Sequence, residues 1–356
     1  MNGQMKRATI SDVAEHAGVS RAAVSKVLRG AYGVSDVMKT RVEASMEALG
    51  YRPSALARGM RGRSFTLGVF VVDLSNTFVT VLIEGIRAEA LSRGYQVFIG
   101  EANMGLAQQK QMIEAMIDRK MDGLVLIAPF GPEEELEKIG RSTPTVVLGR
   151  HGPGESYDTV ASDDLAGSAL IVDHLVSLGH RRISHLKHAG NEKNEATMPQ
   201  VVRADGYVKA MAHHGLEDEV DVIEARWNHQ GGAAAVDLML GRDNPPTAVH
   251  TGTDMAGFGV LARFHELGVP VPEAFSVVGY DNALAASLPQ IALTTVDQSG
   301  FEMGTLASRL LVERIEGRAD PVSTLVMPTL MVRRTTGPVR AVDGRGPELL
   351  KEAAQG

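Results

Sequence analysis

The sequence predicts an all-α helix-turn-helix head followed by a larger two-lobed α/β body built from two Rossmann-like parallel sheets. Three observations carry this prediction. Short helical patterns around a glycine turn occupy the first fifty residues. From residue 65 onward, short apolar strands alternate with helical runs. The chain, at 356 residues, also exceeds one ordinary domain.

Composition narrows the class. With 44% hydrophobic and 22% charged residues, the chain reads as globular, and no apolar run approaches the roughly 20 residues that span a bilayer. The opening Met1-Asn2-Gly3-Gln4-Met5-Lys6-Arg7 leads into small and polar residues, so a cytoplasmic protein is expected. The absence of Cys excludes disulfide frameworks, Cys-ligated metals and thiol catalysis. Charge is unevenly spread. Residues 1–63 hold 11 Lys and Arg against 5 Asp and Glu, about +6, so the remainder carries about −13 of the net −7. A basic head on an acidic body points to the head as the part that meets a polyanion, although charge alone decides little.

The head is read from its caps and periodicity. Ser11 is expected to cap a first helix, with Asp12 in its first turn against the positive end of the dipole. Gly18 supplies a sharp turn, and a second helix starts near Ser20. Val24, Val27 and Leu28 fall at helical spacing toward a core, which leaves Arg21, Ala22, Ser25, Lys26 and Arg29 largely outside. Ser35 caps a third helix from Asp36 to Leu49, ended by Gly50. Two short helices around a tight turn, the second small-residued and cationic, fit a major-groove reader, with Arg21 and Lys26 reaching guanine edges or phosphates. A plain three-helix packing module with a solvated basic face is the alternative. The next segment, Tyr51 to Arg61, has Pro53 in its first turn and Leu56 and Met60 on one face. It is too short and Gly-weakened to be stable alone, so folding on a duplex, with an apolar wedge between base steps, is expected of it.

In the body, strands are predicted at Thr66–Asp73, Tyr95–Gly100, Gly123–Ala128, Thr145–Gly149, Arg182–Leu186, Val220–Ala225, Thr247–Thr251 and Phe275–Tyr280. Helical runs lie between them, as in Phe78–Ser92 with Phe78, Leu82, Ile86 and Ala90 on one stripe. Near-continuous apolar strands separated by helices require parallel sheets covered on both faces. Ligands of such sheets bind at the carboxyl ends of the strands. The candidates there are Asp73 and Asn76, Arg150, Arg226 and Trp227, Thr253 and Asp254, and Asp281 and Asn282, with Arg203 and Gln298 in other connections. Trp227 is the only Trp, and a sugar face stacks well on such a ring; Asp281 and Asn76 suit hydroxyl pairs. Plain roles stand beside these. Asp254 and Asn76 also read as helix caps, Trp227 as core and Arg203 as a surface ion pair.

Other signals carry no chemistry. The glycines of Gly257-Phe258-Gly259 fall inside a helix starting near Asp254, not in a strand-to-helix turn. His180, His185 and His188 lack an acidic partner at metal spacing, and His265-Glu266 lacks the second His of a zinc protease. No cofactor, metal or catalytic constellation is expected, which sets aside an enzyme on this scaffold. A solute-binding protein without DNA function is the other competing class.

The stretches Thr9-Ile10-Ser11-Asp12-Val13-Ala14-Glu15-His16-Ala17-Gly18-Val19-Ser20, Ala23-Val24-Ser25-Lys26-Val27-Leu28 and Gly50-Tyr51-Arg52-Pro53-Ser54-Ala55-Leu56-Ala57-Arg58 resemble the lac repressor / galactose repressor family. The resemblance implies a regulator of transcription: a palindromic double-stranded operator bound by a homodimer, possible pairing of dimers into tetramers, and no membrane partner. DNA contacts are expected at Thr9, Ser20, Arg21, Ala22, Ser25, Lys26, Arg29, Ser54, Ala57, Arg58 and Met60, with Met60 where the family's intercalating Leu stands. Gly59 replaces a better helix former, and Arg29 stands where Asn is usual. The body is similar to periplasmic sugar-binding proteins, so a periplasmic-binding-protein-like sensor is implied. Its effector set is expected at Asp73, Asn76, Phe78, Arg150, Arg203, Trp227, Thr253, Asp281 and Gln298. A carbohydrate is the favoured effector and a purine-type ligand the alternative; Lys187–Val202 departs most from the family pattern. The implied domains are 1–52 for the head, 53–64 for the hinge, 65–336 for the sensor and 337–356 for a loose tail. Within the sensor, one lobe takes 65–163 and 298–325, the other 164–295 and 326–336. Crossings fall near Ser162–Asp164, Thr295–Gln298 and Leu325–Pro328.

Overall fold

The computed structural model describes residues 8–28, 31–51, 63–102, 105–188 and 196–339. They form two compact units. One runs to Thr66 and includes Arg119–Asp122, and the other holds the rest. The Asp122 carboxylate accepts from the backbone N–H of Ser64 at 2.6 Å and of Phe65 at 2.8 Å, which fastens 119–122 to the first unit.

The head has α1 (Ile10–His16), α2 (Arg21–Leu28) and α3 (Asp36–Ala48). The cap of α1 is Thr9 and not Ser11. Thr9 and Asp12 form a capping box, in which the Thr9 N–H donates to the Asp12 carboxylate at 2.7 Å and the Asp12 N–H to Thr9 Oγ1 at 3.4 Å. Ser20 Oγ accepts from the Ala23 N–H at 3.2 Å and starts α2, and Ser35 Oγ accepts from Met38 and starts α3. Between α1 and α2, Gly18 takes φ 61, and its carbonyl accepts from Arg41 of α3. Val13, Val24 and Val42, one from each helix, are completely buried together. At about 1.5–3 kcal/mol each, these three side chains carry much of the packing, so the outer face of α2 has no core duty.

The second unit contains two six-stranded sheets. The first-lobe sheet uses β1 (Thr66–Val71), β2 (Gln96–Glu101), β3 (Gly123–Ile127), β4 (Thr145–Leu148), β5 (Asp158–Ser162) and β11 (Ser323–Val326), in the order β11-β5-β4-β3-β1-β2. Helices α4 (Thr77–Ser92), α5 (Leu106–Asp118), α6 (Glu133–Ser142) and α11 (Gly300–Ile315) belong to this lobe. The predicted stripe on α4 is observed, with Leu82, Ile86 and Ala90 buried and Phe78 half-buried. Helices α4 and α11 cross so closely that a Cβ on Gly304 would lie 2.1 Å from the Leu82 carbonyl oxygen.

The second-lobe sheet uses β6 (Ile183–His188), β7 (Val220–Ala225), β8 (Ala248–His250), β9 (Ser276–Asp281), β10 (Thr294–Asp297) and β12 (Thr329–Met331), in the order β12-β10-β9-β8-β6-β7. Its helices are α7 (Asp164–Ser177), α8 (Pro199–His213), α9 (His229–Leu240) and α10 (Asp254–Glu266). Strand period two divides its core: Val277 joins one cluster and Val278 the cluster on the opposite face.

The eight predicted strands are all present, and four more appear. The additional strands β5, β10, β11 and β12 have three to five residues each and are rich in Thr, Ser and Asp, too short and polar for periodicity to announce. One edge also departs from the all-parallel expectation, because β12 runs antiparallel to β10. The chain passes between lobes after β5, after β10 and between β11 and β12. Residues 337–339, expected to begin a loose tail, are bonded to the second lobe. Gly337 donates to Ser276 Oγ at 3.1 Å and Val339 to the Leu178 carbonyl at 3.0 Å, while residues 340–356 lie outside the described set.

Candidate functional site

On the head, α2 presents Arg21, Ala22 and Lys26 as exposed residues, with Ser25 half-buried and Val24 turned inward. Thr9 donates both its hydroxyl and its backbone N–H to the Asp12 carboxylate, whereas Ser20 Oγ only accepts, from the Ala23 N–H, which leaves the Ser20 O–H able to donate to a partner. Arg29, Ser54, Ala57, Arg58 and Met60 lie outside the described residues.

In the second unit, Arg203 is the centre of a buried network. It lies on α8, 4% exposed. Its Nε donates to Asp164 Oδ1 at 2.9 Å, its Nη1 to the Gly252 carbonyl at 2.7 Å and its Nη2 to Gln298 Oε1 at 3.1 Å. Gln298 in turn donates from Nε2 to Asp281 Oδ1 at 2.6 Å. The guanidinium lies 3.8 Å from the Tyr280 ring centroid and 5.0 Å from that of Trp227, so three bonds and two aromatic faces fix its plane. The reading of Arg203 as a surface ion pair is therefore excluded.

Electrostatics follows from burial. Burial alone would raise the Asp164 carboxyl, but Arg203 and then His151, whose Nε2 lies 2.8 Å from Asp164 Oδ2, outweigh it and hold this carboxyl below the ordinary range. Asp281 goes the other way. Burial pushes its carboxyl well above the ordinary value, Arg203 opposes this, and Asp254 and Asp164 add to it. Asp281 Oδ2 is buried without a hydrogen-bond partner among the described residues, and the residue sits at φ 128. A left-handed backbone beneath an unpartnered buried oxygen costs free energy, and such features recur at functional sites.

Trp227 is half-buried; its Nε1 donates to the Leu186 carbonyl at 3.0 Å and its backbone N–H to His188 Nδ1 at 3.0 Å. Gly252 permits this placement. At φ 73, a Cβ there would meet Leu186 O and Trp227 Nε1, both at 2.6 Å. The ring is thus one wall of the Arg203 network and not ordinary core.

Other predicted residues are placed differently. Thr253 is the N-cap of α10, its hydroxyl accepting from the Ala256 N–H. Asn76 caps α4 by accepting from the Phe78 N–H at 3.0 Å. Asp73 is exposed and accepts from Ser75 N–H and hydroxyl, while Phe78 packs against the start of α11 at Gly300. Asp254 lies inside the first turn of α10, where its carboxylate accepts from the Ala283 N–H and the Thr295 hydroxyl; burial pushes its pKa up to about 7. Arg150 joins the two lobes: it donates from Nη1 to the carbonyls of Pro129 and Gly131, and from Nε and Nη2 to Thr197 Oγ1. Asp164, His151, Tyr280 and Thr197 were not among the sequence candidates. Asp164 and His151 each adjoin a recognised crossing or strand end, and that adjacency is the signal that identifies them.

The Gly257 and Gly259 pair lies inside α10. Among the described residues no three His, Asp or Glu are placed to hold a metal ion, and no helix is long and apolar enough to cross a membrane.

A helix-turn-helix head ahead of a two-lobed sheet body, with a buried polar cluster where the lobes meet, defines the ligand-responsive DNA-binding regulators of transcription. Residues 9–54 match the description "Bacterial regulatory proteins, lacI family" and residues 172–336 a "Periplasmic binding protein-like domain". The HTH-type transcriptional repressor CytR of Escherichia coli K12 is 31% identical over 338 residues, covering 94% of this chain and 97% of the relative. Among solved structures, a lac repressor dimer bound to operator and an anti-inducer superposes with TM-score 0.79 at 25% identity, covering 93% of this chain and 100% of that one. A complex of the transcriptional regulator CelR with cellobiose superposes with TM-score 0.68 at 27% identity, covering 92% and 100%. The chain belongs to the lacI family of bacterial regulatory proteins.

Proposed function

We propose that the protein binds a palindromic operator as a homodimer and that a small polar effector, of the carbohydrate class, sets its operator affinity from the cleft around Arg203. In this reading α2 enters the major groove. Arg21 and Lys26 contact base edges, Ala22 allows close approach, and Thr9, Ser20 and Ser25 position the head on phosphates. Arg29 extends the cationic face, and Ser54, Ala57, Arg58 and Met60 supply the minor-groove segment, Met60 as the wedge. These last five positions enter from sequence alone. Pairing of two heads raises effective concentration, which one small module needs for tight binding. The role needs no catalytic step and places the protein where the DNA is.

The observation that carries the effector reading is the immobilised Arg203 beside the sole Trp, with the unsatisfied Asp281 Oδ2 in the same network. The Asp281 Oδ2 oxygen, without a partner among the described residues, can accept from a sugar hydroxyl. The Trp227 face suits the C–H face of a pyranose, and the CelR structure holds cellobiose in a related body. Asp73, Asn76, Phe78, Arg150 and Thr253 shape the surroundings through the caps and bonds described. The lobes are joined by Arg150 to Thr197 Oγ1, the His151 N–H to the Thr197 carbonyl, His151 Nε2 to Asp164 and Arg203 to Gln298. A ligand that favours one lobe angle shifts the population and with it the spacing of the heads.

The experiment is a thermal-shift screen of the purified protein with sugars, sugar phosphates and nucleobases, followed by anisotropy titrations on an operator selected from random duplexes. A sugar is expected to raise the melting temperature; a shift confined to nucleobases would replace the carbohydrate class by the purine alternative. Lys26→Ala is expected to cost about 1–3 kcal/mol on the selected operator and to relax its base preference, measured as the ratio of specific to random-duplex affinity. Asp281→Ala is expected to keep operator affinity and lose the effector response; a normal response in that variant would displace the cleft assignment.

A further inference from the structure

A groove between α5 and α6 of the first lobe lies apart from the cleft and has no part in the function proposed above. It encloses about 460 Å³, within the range of small-molecule sites. Leu106, Ile113, Ile117, Phe130, Leu136 and Ile139 make its walls apolar. Its rim charges cancel: Lys110 and Lys138 are offset by Glu114 and Glu135, and Lys110 lies 3.9 Å from Glu135. Gln109 lines the same cavity and is 2% exposed. Its Oε1 accepts from the Phe130 N–H at 3.0 Å, but its Nε2 is buried with no hydrogen-bond partner among the described residues. A buried amide donor without an acceptor is unfavourable, and an acceptor brought in from outside would satisfy it.

The groove is also connected to the cleft. Pro129 and Gly131 form part of its wall, and both carbonyls accept from Arg150 Nη1, at 3.3 and 2.8 Å. The same guanidinium donates to Thr197 Oγ1 of the other lobe at 2.9 Å. The Thr197 carbonyl accepts from the His151 N–H at 2.7 Å, His151 lies against Asp164, and Asp164 holds Arg203 beside Trp227.

We propose that this groove is a second small-molecule site, taking a neutral, mostly apolar ligand with one carbonyl-type acceptor for Gln109 Nε2, and that its occupancy is communicated to the cleft through Arg150 and Thr197. The site does not depend on the DNA reading, and its test needs no DNA. The probe is γ-decalactone, with decanoate as the charged comparison, titrated into the full-length protein by calorimetry and by the emission of Trp227. Lactone is expected to bind about ten-fold or more tightly than decanoate, because burial penalises an uncompensated charge. Gln109→Leu is expected to weaken lactone binding by about ten-fold or more, since the cavity loses its donor. Ala107→Phe, at an exposed position on the groove lining, is expected to abolish binding with an unchanged melting temperature. Thr197→Val is expected to keep lactone binding and lose the Trp227 emission change. Absence of binding, or binding that Ala107→Phe leaves intact, overturns the site. Equal affinity for decanoate overturns the ligand class, and an emission change that survives Thr197→Val overturns the coupling.

Discussion

The two lobes of the body repeat one strand order, each with its last-arriving strand at the edge, yet they fill it with different chemistry. The first lobe packs Leu67, Val69, Leu82, Ile86, Val125, Val146 and Leu311 around its sheet, an almost wholly aliphatic core. The second buries a stack of rings. Tyr207 lies 5.3 Å from His185, His185 lies 4.4 Å from His250, and His250 lies 5.9 Å from Tyr280. Arg203 rests on the far face of that stack, 3.8 Å above Tyr280. An aliphatic core offers a ligand nothing to orient against and has no titration. A ring stack gives a guanidinium a fixed seat, at the cost of burying groups that protonate. The first sheet is thus held by aliphatic packing, and the second carries the buried rings and titratable groups.

The largest way to break this division is Arg203→Ala. The substitution leaves the Asp164 carboxylate, the Gly252 carbonyl and Gln298 Oε1 without the donor they share. Removing one partner of a buried pair costs about 3–5 kcal/mol. Urea unfolding is expected to show a loss of that size, with Trp227 emission reporting it. A loss below about 1 kcal/mol would show that the network is solvated and that the second lobe is not organised by this residue.

Next in size is a pH effect. His180 is 3% exposed, bonded to Thr247, Ser276 and the Gly337 carbonyl. Burial drives its pKa down to about 4, with the Gly337 carbonyl opposing and His174 adding. Burial lowers His185 to about 3 and lowers His250 as well. A histidine depressed in the folded state gives up stability as pH falls, because the unfolded chain takes the proton first. For His180 the window runs from its ordinary value of 6.5 down to about 4, and the loss across it is about 3 kcal/mol. Urea midpoints at pH 7.5 and 4.5 are expected to fall less in His180→Gln than in the parent protein. An unchanged pH slope would mean that this ring stays solvated or protonated when folded.

Much of the fold was legible in the sequence, and the limits are physical. Uninterrupted apolar strands such as Gly123–Ile127 and the α4 stripe are legible through unbroken hydrophobicity and period 3.6. Short strands such as Thr294–Asp297 did not, since their partners lie far along the chain and their Thr and Asp side chains read as loop. In the head, Ser11 beside Asp12 reads as a cap, but the reciprocal Thr9–Asp12 bonds place the start two residues earlier, a distinction only the spacing Thr-x-x-Asp encodes. Arg203, Trp227, Asp281 and Gln298, singled out in the sequence because they sit at strand ends or match the family pattern, share one network. Asp164 was passed over as a crossing residue, because one-dimensional spacing does not show which guanidinium a carboxylate will meet. Thr253 and Asn76 close helices, and a strand-end hydroxyl or amide reads the same in sequence whether it only closes a helix or also faces a ligand.

The smallest effect sharpens the comparison from the other side. Ile86 is completely buried in the first-lobe cluster, and no ionisable residue belongs to that cluster apart from Tyr95. Ile86→Val removes one methylene and is expected to cost about 1 kcal/mol. Because no proton binds differently at that site between pH 4.5 and 7.5, the cost is expected to be the same at both. The readout is the difference in urea unfolding free energy between variant and parent at each pH. A cost that changed by more than about 0.5 kcal/mol between the two conditions would tie the aliphatic lobe to the titration of the ring-filled one. The two sheets would then unfold as a single acid-sensitive unit, and the division of labour drawn from their cores would have to be given up.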